Sequence, residues 1–227
     1  MTWKEHEEKA TAHAIEAFSF HKATYKVLDG IDTLEFSRPD SICYSLRVVF
    51  DHEHGNSVYI CGNLGEAVIY PTCPATLKGM AECFTRRDES GNIHVNCGYF
   101  LEKVRASSDR YCWDYDTFIQ DFKERCKEKG IDSADDFIDE HTGIWNDGVE
   151  VDNVKGITLS YNAKRDLEEI DSDYWEWVYD CGKRVSPRII LWLVAMRLAY
   201  EAVKVSAEGD LLEAIEKIKG QEATDGE

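Results

Sequence analysis

Ile42-Cys43-Tyr44-Ser45-Leu46-Arg47-Val48-Val49-Phe50, then Asp51-His52-Glu53-His54-Gly55-Asn56 and Ser57-Val58-Tyr59-Ile60-Cys61, is the stretch that decides the fold class. Ile42, Tyr44, Leu46, Val48 and Phe50 alternate with Cys43, Ser45 and Arg47, which is the period of a half-buried strand. The polar run 51–56 has turn composition, and 57–61 reads as the returning strand. Gly62-Asn63-Leu64-Gly65 is a second turn and Glu66–Tyr70 a third strand. The spacing predicts an antiparallel meander of three to five strands, with Thr33–Phe36 joining at an edge.

Upstream, Ala10, Ala14 and Phe18 lie on one face of a helix expected over 4–23. Downstream, Pro74 opens a short helix near Leu77–Phe84, and Ile93–Cys97 reads as one more short strand. From about residue 114 the pattern becomes helical. Phe118, Phe122 and Cys126 are spaced i, i+4, i+8, with Gly130 as the stop. Ser133-Ala134-Asp135-Asp136 has the form of a capping box for a helix to about Glu140. Residues 141–156 read as a loop holding a hairpin, and Lys164–Tyr179 as a helix. Ser186-Pro187 starts a long helix to about Val205, and Asp210 with Glu213 caps a last one. Strands first and helices after predict an α+β fold. The expected organisation is an α+β domain at 1–110, a mainly helical acidic part at 111–220 and a frayed tail at 221–227.

The 227 residues include 44 acidic and 26 basic ones, a formal net charge of −18. Such a chain repels nucleic-acid phosphates and anionic membrane surfaces, so neither is an expected direct partner. The most apolar run, Ile189–Met196, is too short for a membrane span, which needs about 20 residues. Eight cysteines stand at 43, 61, 73, 83, 97, 112, 126 and 181, without the close pairs of a zinc site. With no apolar leader at the N-terminus, reduced and mostly buried thiols in a host-cell cytoplasm are expected.

The charge is concentrated. Residues 132–176 hold Asp132, Asp135, Asp136, Asp139, Glu140, Asp147, Glu150, Asp152, Asp166, Glu168, Glu169, Asp171, Asp173 and Glu176, opposed only by Lys155, Lys164 and Arg165. Trp145, Tyr161, Tyr174 and Trp175 lie in the same stretch, with Trp177 and Tyr179 just beyond. Aromatics dominate interface hot spots, and a focused negative field speeds association with a basic partner. The candidate partner-binding residues are therefore Asp135, Asp136, Asp139, Glu140, Trp145, Asp147, Glu150, Asp152, Glu168, Glu169, Asp171 and Asp173. The competing reading is a solvated surface over buried aromatics.

Other constellations are weaker. His52 and His54 share one face of a strand and suggest a metal-dependent enzyme, but no third ligand is placed by spacing. Gly62-Asn63-Leu64-Gly65 lacks the Lys-Ser/Thr of a phosphate loop. Cys97 and His94 point to opposite faces of a strand. No catalytic residue, cofactor or metal is assigned. An assembly protein is the remaining alternative.

Tyr44–Phe50, Val58–Val68 and Tyr99–Ser107 resemble a loosely defined set of phage and prophage proteins. That set shares a hairpin ending in a G-[ND]-x-G-x-A turn and a later Y-F-x-x-K segment; the resemblance covers roughly residues 40–108. It implies context, not residues. Small acidic accessory proteins of phages inhibit host defence enzymes, CRISPR effectors included, by binding where nucleic acid would bind. The expected function is an inhibitor of that kind, acting on a basic host protein that itself binds nucleic acid.

Overall fold

The computed structural model describes residues 3–107, 109–142 and 148–222. It is an α+β protein: an N-terminal helix, an antiparallel meander and then helices. By the density of internal contacts the chain divides into two units. One comprises Met1–His6 with Asp109–Ser186, the other Glu7–Ser108 with Pro187–Glu227.

Helix α1 is Trp3–Ala17, six residues shorter than expected at its C-terminal end. The chain turns after Ala17 because Phe18 and His21 are drawn onto Phe36, with ring centroids 5.3 and 5.2 Å away. Strand β1 (Lys22–Val27) follows, its first two residues lying where helix was expected. It is the edge of a six-stranded sheet and buries little, although Ala23, Tyr25 and Val27 alternate with Lys22, Thr24 and Lys26 as a strand's residues do. Next come β2 (Ile31–Ser37), β3 (Leu46–Asp51), β4 (Ser57–Gly62) and β5 (Ala67–Ile69), each paired antiparallel with the one before. β2 is thus internal to the sheet rather than its edge. Its Leu34 and Phe36, with Leu46, Val48, Phe50, Val58, Ile60 and Ile69, form the buried face. β3 begins four residues later than the alternation suggests. Tyr44 has φ 58°, and Ser45 N–H bonds back to the Ile42 carbonyl at 3.4 Å, so 42–45 is a turn.

The turn after β4 explains the glycine of the G-[ND]-x-G-x-A pattern. Gly62 has φ 132°, and a Cβ there would stand 2.5 Å from the Ser45 carbonyl oxygen. Asn56, with φ 47° at the end of the β3–β4 turn, does more than turn the chain. Its side chain donates to the carbonyls of Pro71 and Cys73 and accepts from Ala75 N–H, pinning the segment before the next helix.

Helix α2 (Leu77–Phe84) is capped by Thr76, whose hydroxyl accepts from Gly79 N–H. The short pair β6 (Thr85–Arg87) and β7 (Ile93–Val95), helix α3 (Cys97–Lys103) and β8 (Val104–Ser107) complete this segment. β8 pairs with β5 as the sixth strand.

The other unit begins with β9 (Tyr111–Trp113) and α4 (Tyr115–Lys129), which Gly130 ends in the left-handed conformation. Helix α5 (Ala134–His141) follows; Ser133 makes no side-chain cap to it, contrary to the box-like pattern. The hairpin β10 (Val149–Asp152) and β11 (Gly156–Leu159) leads to α6 (Tyr161–Ile170). Two single 3-10 turns occupy 174–176 and 178–180, where continuous helix was expected. β12 (Lys183–Val185) then pairs antiparallel with β9.

Helix α7 (Pro187–Glu222) belongs to the sheet unit. It is one continuous helix, where two were expected. Every residue from Ile189 to Met196 is buried. Trp192 donates its indole N–H to the Leu64 carbonyl at 3.2 Å. Most of the expected tail, 223–227, lies outside the described residues. No described helix is long and apolar enough to cross a membrane. Of the eight thiols, which are all free, Cys97, Cys126 and Cys181 are buried; Cys43 is exposed and the others are half-buried, fewer buried than expected.

Replacing Gly62 by alanine should lower stability by more than about 2 kcal/mol, since both backbone angle and space exclude a Cβ. Gly98→Ala, with open space around it in α3, should change stability by less than about 1 kcal/mol. Urea unfolding of the two variants measures the contrast.

Candidate functional site

Helix α5 sorts its residues by period. Phe137, Ile138 and His141 point inward, while Asp135, Asp136, Asp139 and Glu140 are exposed. Helix α6 does the same: Ala163 and Leu167 are buried, and Tyr161, Lys164, Arg165, Glu168 and Glu169 are exposed. The inward groups meet in one core with Phe118, Phe122, Trp177 and Val178. Phe137 stacks on Phe122 with centroids 5.1 Å apart, and Trp177 lies 5.4 Å from Phe122.

His141 is the polar member of α5's inward face, and it is 5% exposed. Its Nε2 lies 2.9 Å from Asp166 Oδ2, and Phe137 packs against the ring at 4.7 Å. Asp166 Oδ1 accepts from Arg165 Nε at 2.8 Å. These bonds, Arg165's first, hold the Asp166 carboxyl below its usual range. The sequence reading put His141 in a loop. The signal that would have found it is the i, i+4 spacing from Phe137, which continues the inward face by one turn.

The acidic stretch contains two populations. Some of its carboxylates are structural. Asp171 accepts from the Trp177 indole at 2.9 Å and pairs with Lys129 at 2.9 Å. Lys129, together with the Asp173 N–H and Trp177, depresses its pKa. Asp152 caps its own turn by accepting from Val154 and Lys155 N–H groups, which lower its pKa as well. Asp135 pairs with Lys123 at 2.6 Å. The others face solvent. Asp136, Glu140, Glu150, Glu168, Glu169, Asp173 and Glu176 are exposed and make no ion pair among the described residues.

The aromatics divide too. Trp177 is core, Tyr174 half-buried, and Tyr161 and Trp175 are 81% and 59% exposed. Trp145 and Asp147, both candidates from sequence, lie outside the described residues.

A half-buried ion pair escaped the sequence reading. Arg184, 8% exposed, grips Asp121 with both Nη atoms at 2.9 Å. Asp121 Oδ2 also accepts from Gly182 N–H at 2.9 Å, tying α4 to the start of β12.

In the sheet unit, His52 and His54 are held by different carboxylates. His52 Nε2 lies 3.4 Å from Asp32 Oδ1, and His54 Nδ1 lies 3.5 Å from Asp51 Oδ1. Asp32, 4% exposed, also accepts from the Tyr25 hydroxyl; burial and this bond raise the Tyr25 pKa. Among the described residues, the set of three side chains placed to hold a metal ion is Glu140, His141 and Asp166, and includes neither of these histidines.

No protein-family model matches this chain, and no curated protein or solved structure matches it.

Asp171 supplies a test of the structural population. Its depressed pKa means that its contribution is present above the ordinary aspartate range and is lost as pH falls through the folded-state value. Asp171→Asn should be less stable than the parent at pH 6, and the two should converge as pH approaches 2. Urea midpoints across that range measure it.

Proposed function

We propose that this chain is a binding protein rather than an enzyme, and that its acidic surface docks on a basic protein that itself binds nucleic acid. One observation carries the reading. Glu140 sits in the last turn of α5, and Glu168 and Glu169 in the last turn of α6, all exposed and without an ion pair among the described residues. A helix C-terminus is the negative end of its dipole, so each such carboxylate costs about 0.3–1 kcal/mol. Lys164 and Arg165 stand nearer the N-terminus of α6, again the reverse of what the dipole favours. The i, i+4 spacing of Lys164 with Glu168 and of Arg165 with Glu169 offsets part of this cost, and contact with a basic partner rewards the remainder.

Tyr161 and Trp175 add apolar area beside the charge, the composition of an interface anchor. Residues 109–186 hold 21 acidic against 10 basic side chains, enough to steer a cationic surface over distances of about a Debye length, ~8 Å in physiological salt. The specific form of this reading is a phage- or prophage-type inhibitor occupying the nucleic-acid groove of a host defence enzyme, an anti-CRISPR among them. Its support is the pattern resemblance at 40–108 together with the acidity.

Binding of the purified chain to purified RNA-guided nucleases tests it. Affinity should fall steeply with added salt, and guide or target nucleic acid should compete. A variant carrying Asp136→Lys, Glu168→Lys, Glu169→Lys and Asp173→Lys should bind at least about tenfold more weakly. Trp175→Ala should weaken binding by a further factor of about ten or more. Binding indifferent to the four reversals, or no binding to any such enzyme, would sink the proposal.

A further inference from the structure

Glu140, His141 and Asp166 each offer one ligand-type atom, and these atoms all lie within 4.8 Å of one another. An acidic patch alone would not make a site. Here the central group is a buried imidazole with its orientation imposed. Phe137 covers its ring at 4.7 Å. The backbone at Gly148 is pressed against its base, so that a Cβ there would come within 2.7 Å of His141 Cα and Cβ. Its Nε2 faces Asp166 Oδ2 at 2.9 Å.

Asp166 is held in turn, because Arg165 bonds its other oxygen through Nε at 2.8 Å and Nη2 at 2.7 Å. Ligands supported this way by neighbouring groups are the rule in metal sites. Two ligand atoms about 2.1 Å from a shared ion stand about 3.0–3.4 Å apart at octahedral or tetrahedral angles. The Nε2–Oδ2 pair is already close to that separation. Glu140, exposed on the adjacent residue, is within reach as the third ligand.

We propose that Glu140, His141 and Asp166 form a binding site for one divalent first-row transition-metal ion of the zinc or cobalt type. The imidazole selects against magnesium and calcium, which take oxygen ligands. Three protein ligands leave positions open to water or to a further group. Binding requires Nε2 without its proton, with the N–H tautomer moved to Nδ1. The ion then replaces the hydrogen bond to Asp166 as the link between α5 and α6. Acid weakens it, since protonated His141 cannot ligate. The local charge suits a cation: on α5 and α6 together seven carboxylates oppose Lys164 and Arg165. The site needs no protein partner, so its test is independent of the acidic-surface reading.

The full chain, freed of metal by a chelator that is then removed, is titrated with cobalt(II) under a non-thiol reductant. Visible spectra separate this site from the cysteines, because nitrogen and oxygen ligands give weak ligand-field bands without a thiolate charge-transfer band. One equivalent of that type is expected at pH 7.5, displaced by zinc and weakened at pH 5. Glu140→Gln and His141→Gln should each weaken it at least about tenfold. Glu140 is exposed at a helix C-terminus, so metal-free Glu140→Gln unfolding at or above the parent's temperature separates ligand loss from misfolding. A parent chain showing only thiolate-type binding or none, or a folded Glu140→Gln binding cobalt as tightly as the parent, would overturn the site.

Discussion

The hydrogen bond between His141 and Asp166 is the contact on which the acidic unit depends. Helix α5 has eight residues and is too short to persist alone. It is held by its inward face, and one of the three groups on that face is a polar ring. A buried imidazole without a partner costs about 1–3 kcal/mol, so the core must supply a partner, and α6 supplies it. Because Asp166 stands in the middle of α6, that one bond sets which turn of α6 lies beside the end of α5. The outward carboxylates of both helices, and the ligand set around His141, are consequences of this register.

The meander could be read from the sequence wherever one face of a strand was buried. Leu46, Val48 and Phe50 alternate and are strand; Ile42 and Tyr44 continue the same alternation and are a turn, because Tyr44 takes a left-handed conformation that no spacing reveals. β1 carries the same alternation, Ala23, Tyr25 and Val27 against Lys22, Thr24 and Lys26, but it is short, begins inside the stretch assigned to the first helix and buries little at the sheet edge. The 164–179 stretch has helical composition throughout. It stops being α-helix at Asp171, where that side chain takes the Trp177 indole and Lys129 and the indole turns into the core. A composition count registers those residues and not the exchange of partners.

The candidate site was legible in the same partial way. The period of α5 exposes Asp135, Asp136, Asp139 and Glu140 and needs no tertiary information. That Asp152 and Asp171 are structural depends on where a turn and a tryptophan lie, and that Asp166 serves His141 depends on a pairing across 25 positions. Charge density therefore overstates the surface available to a partner. Helix polarity is the finer criterion, because it distinguishes carboxylates that stabilise the fold, such as Asp135 in the first turn of α5, from those that burden it.

The β9–β12 ladder has a bearing on how the chain is made. Tyr111–Trp113 pairs with Lys183–Val185, and Ser186 N–H bonds the Arg110 carbonyl at 3.0 Å, so the acidic unit is closed by hydrogen bonds at its own two ends. All its residues are translated before those of α7. The sheet unit is in the opposite position. Its strands are synthesised first, yet Trp192 and the apolar turns around it arrive last. During synthesis the meander waits with its apolar side chains uncovered while the segment that interrupts it is translated. The strong negative charge of that segment is then a solubility device as well: it emerges next to an unfinished sheet and keeps neighbouring nascent chains apart.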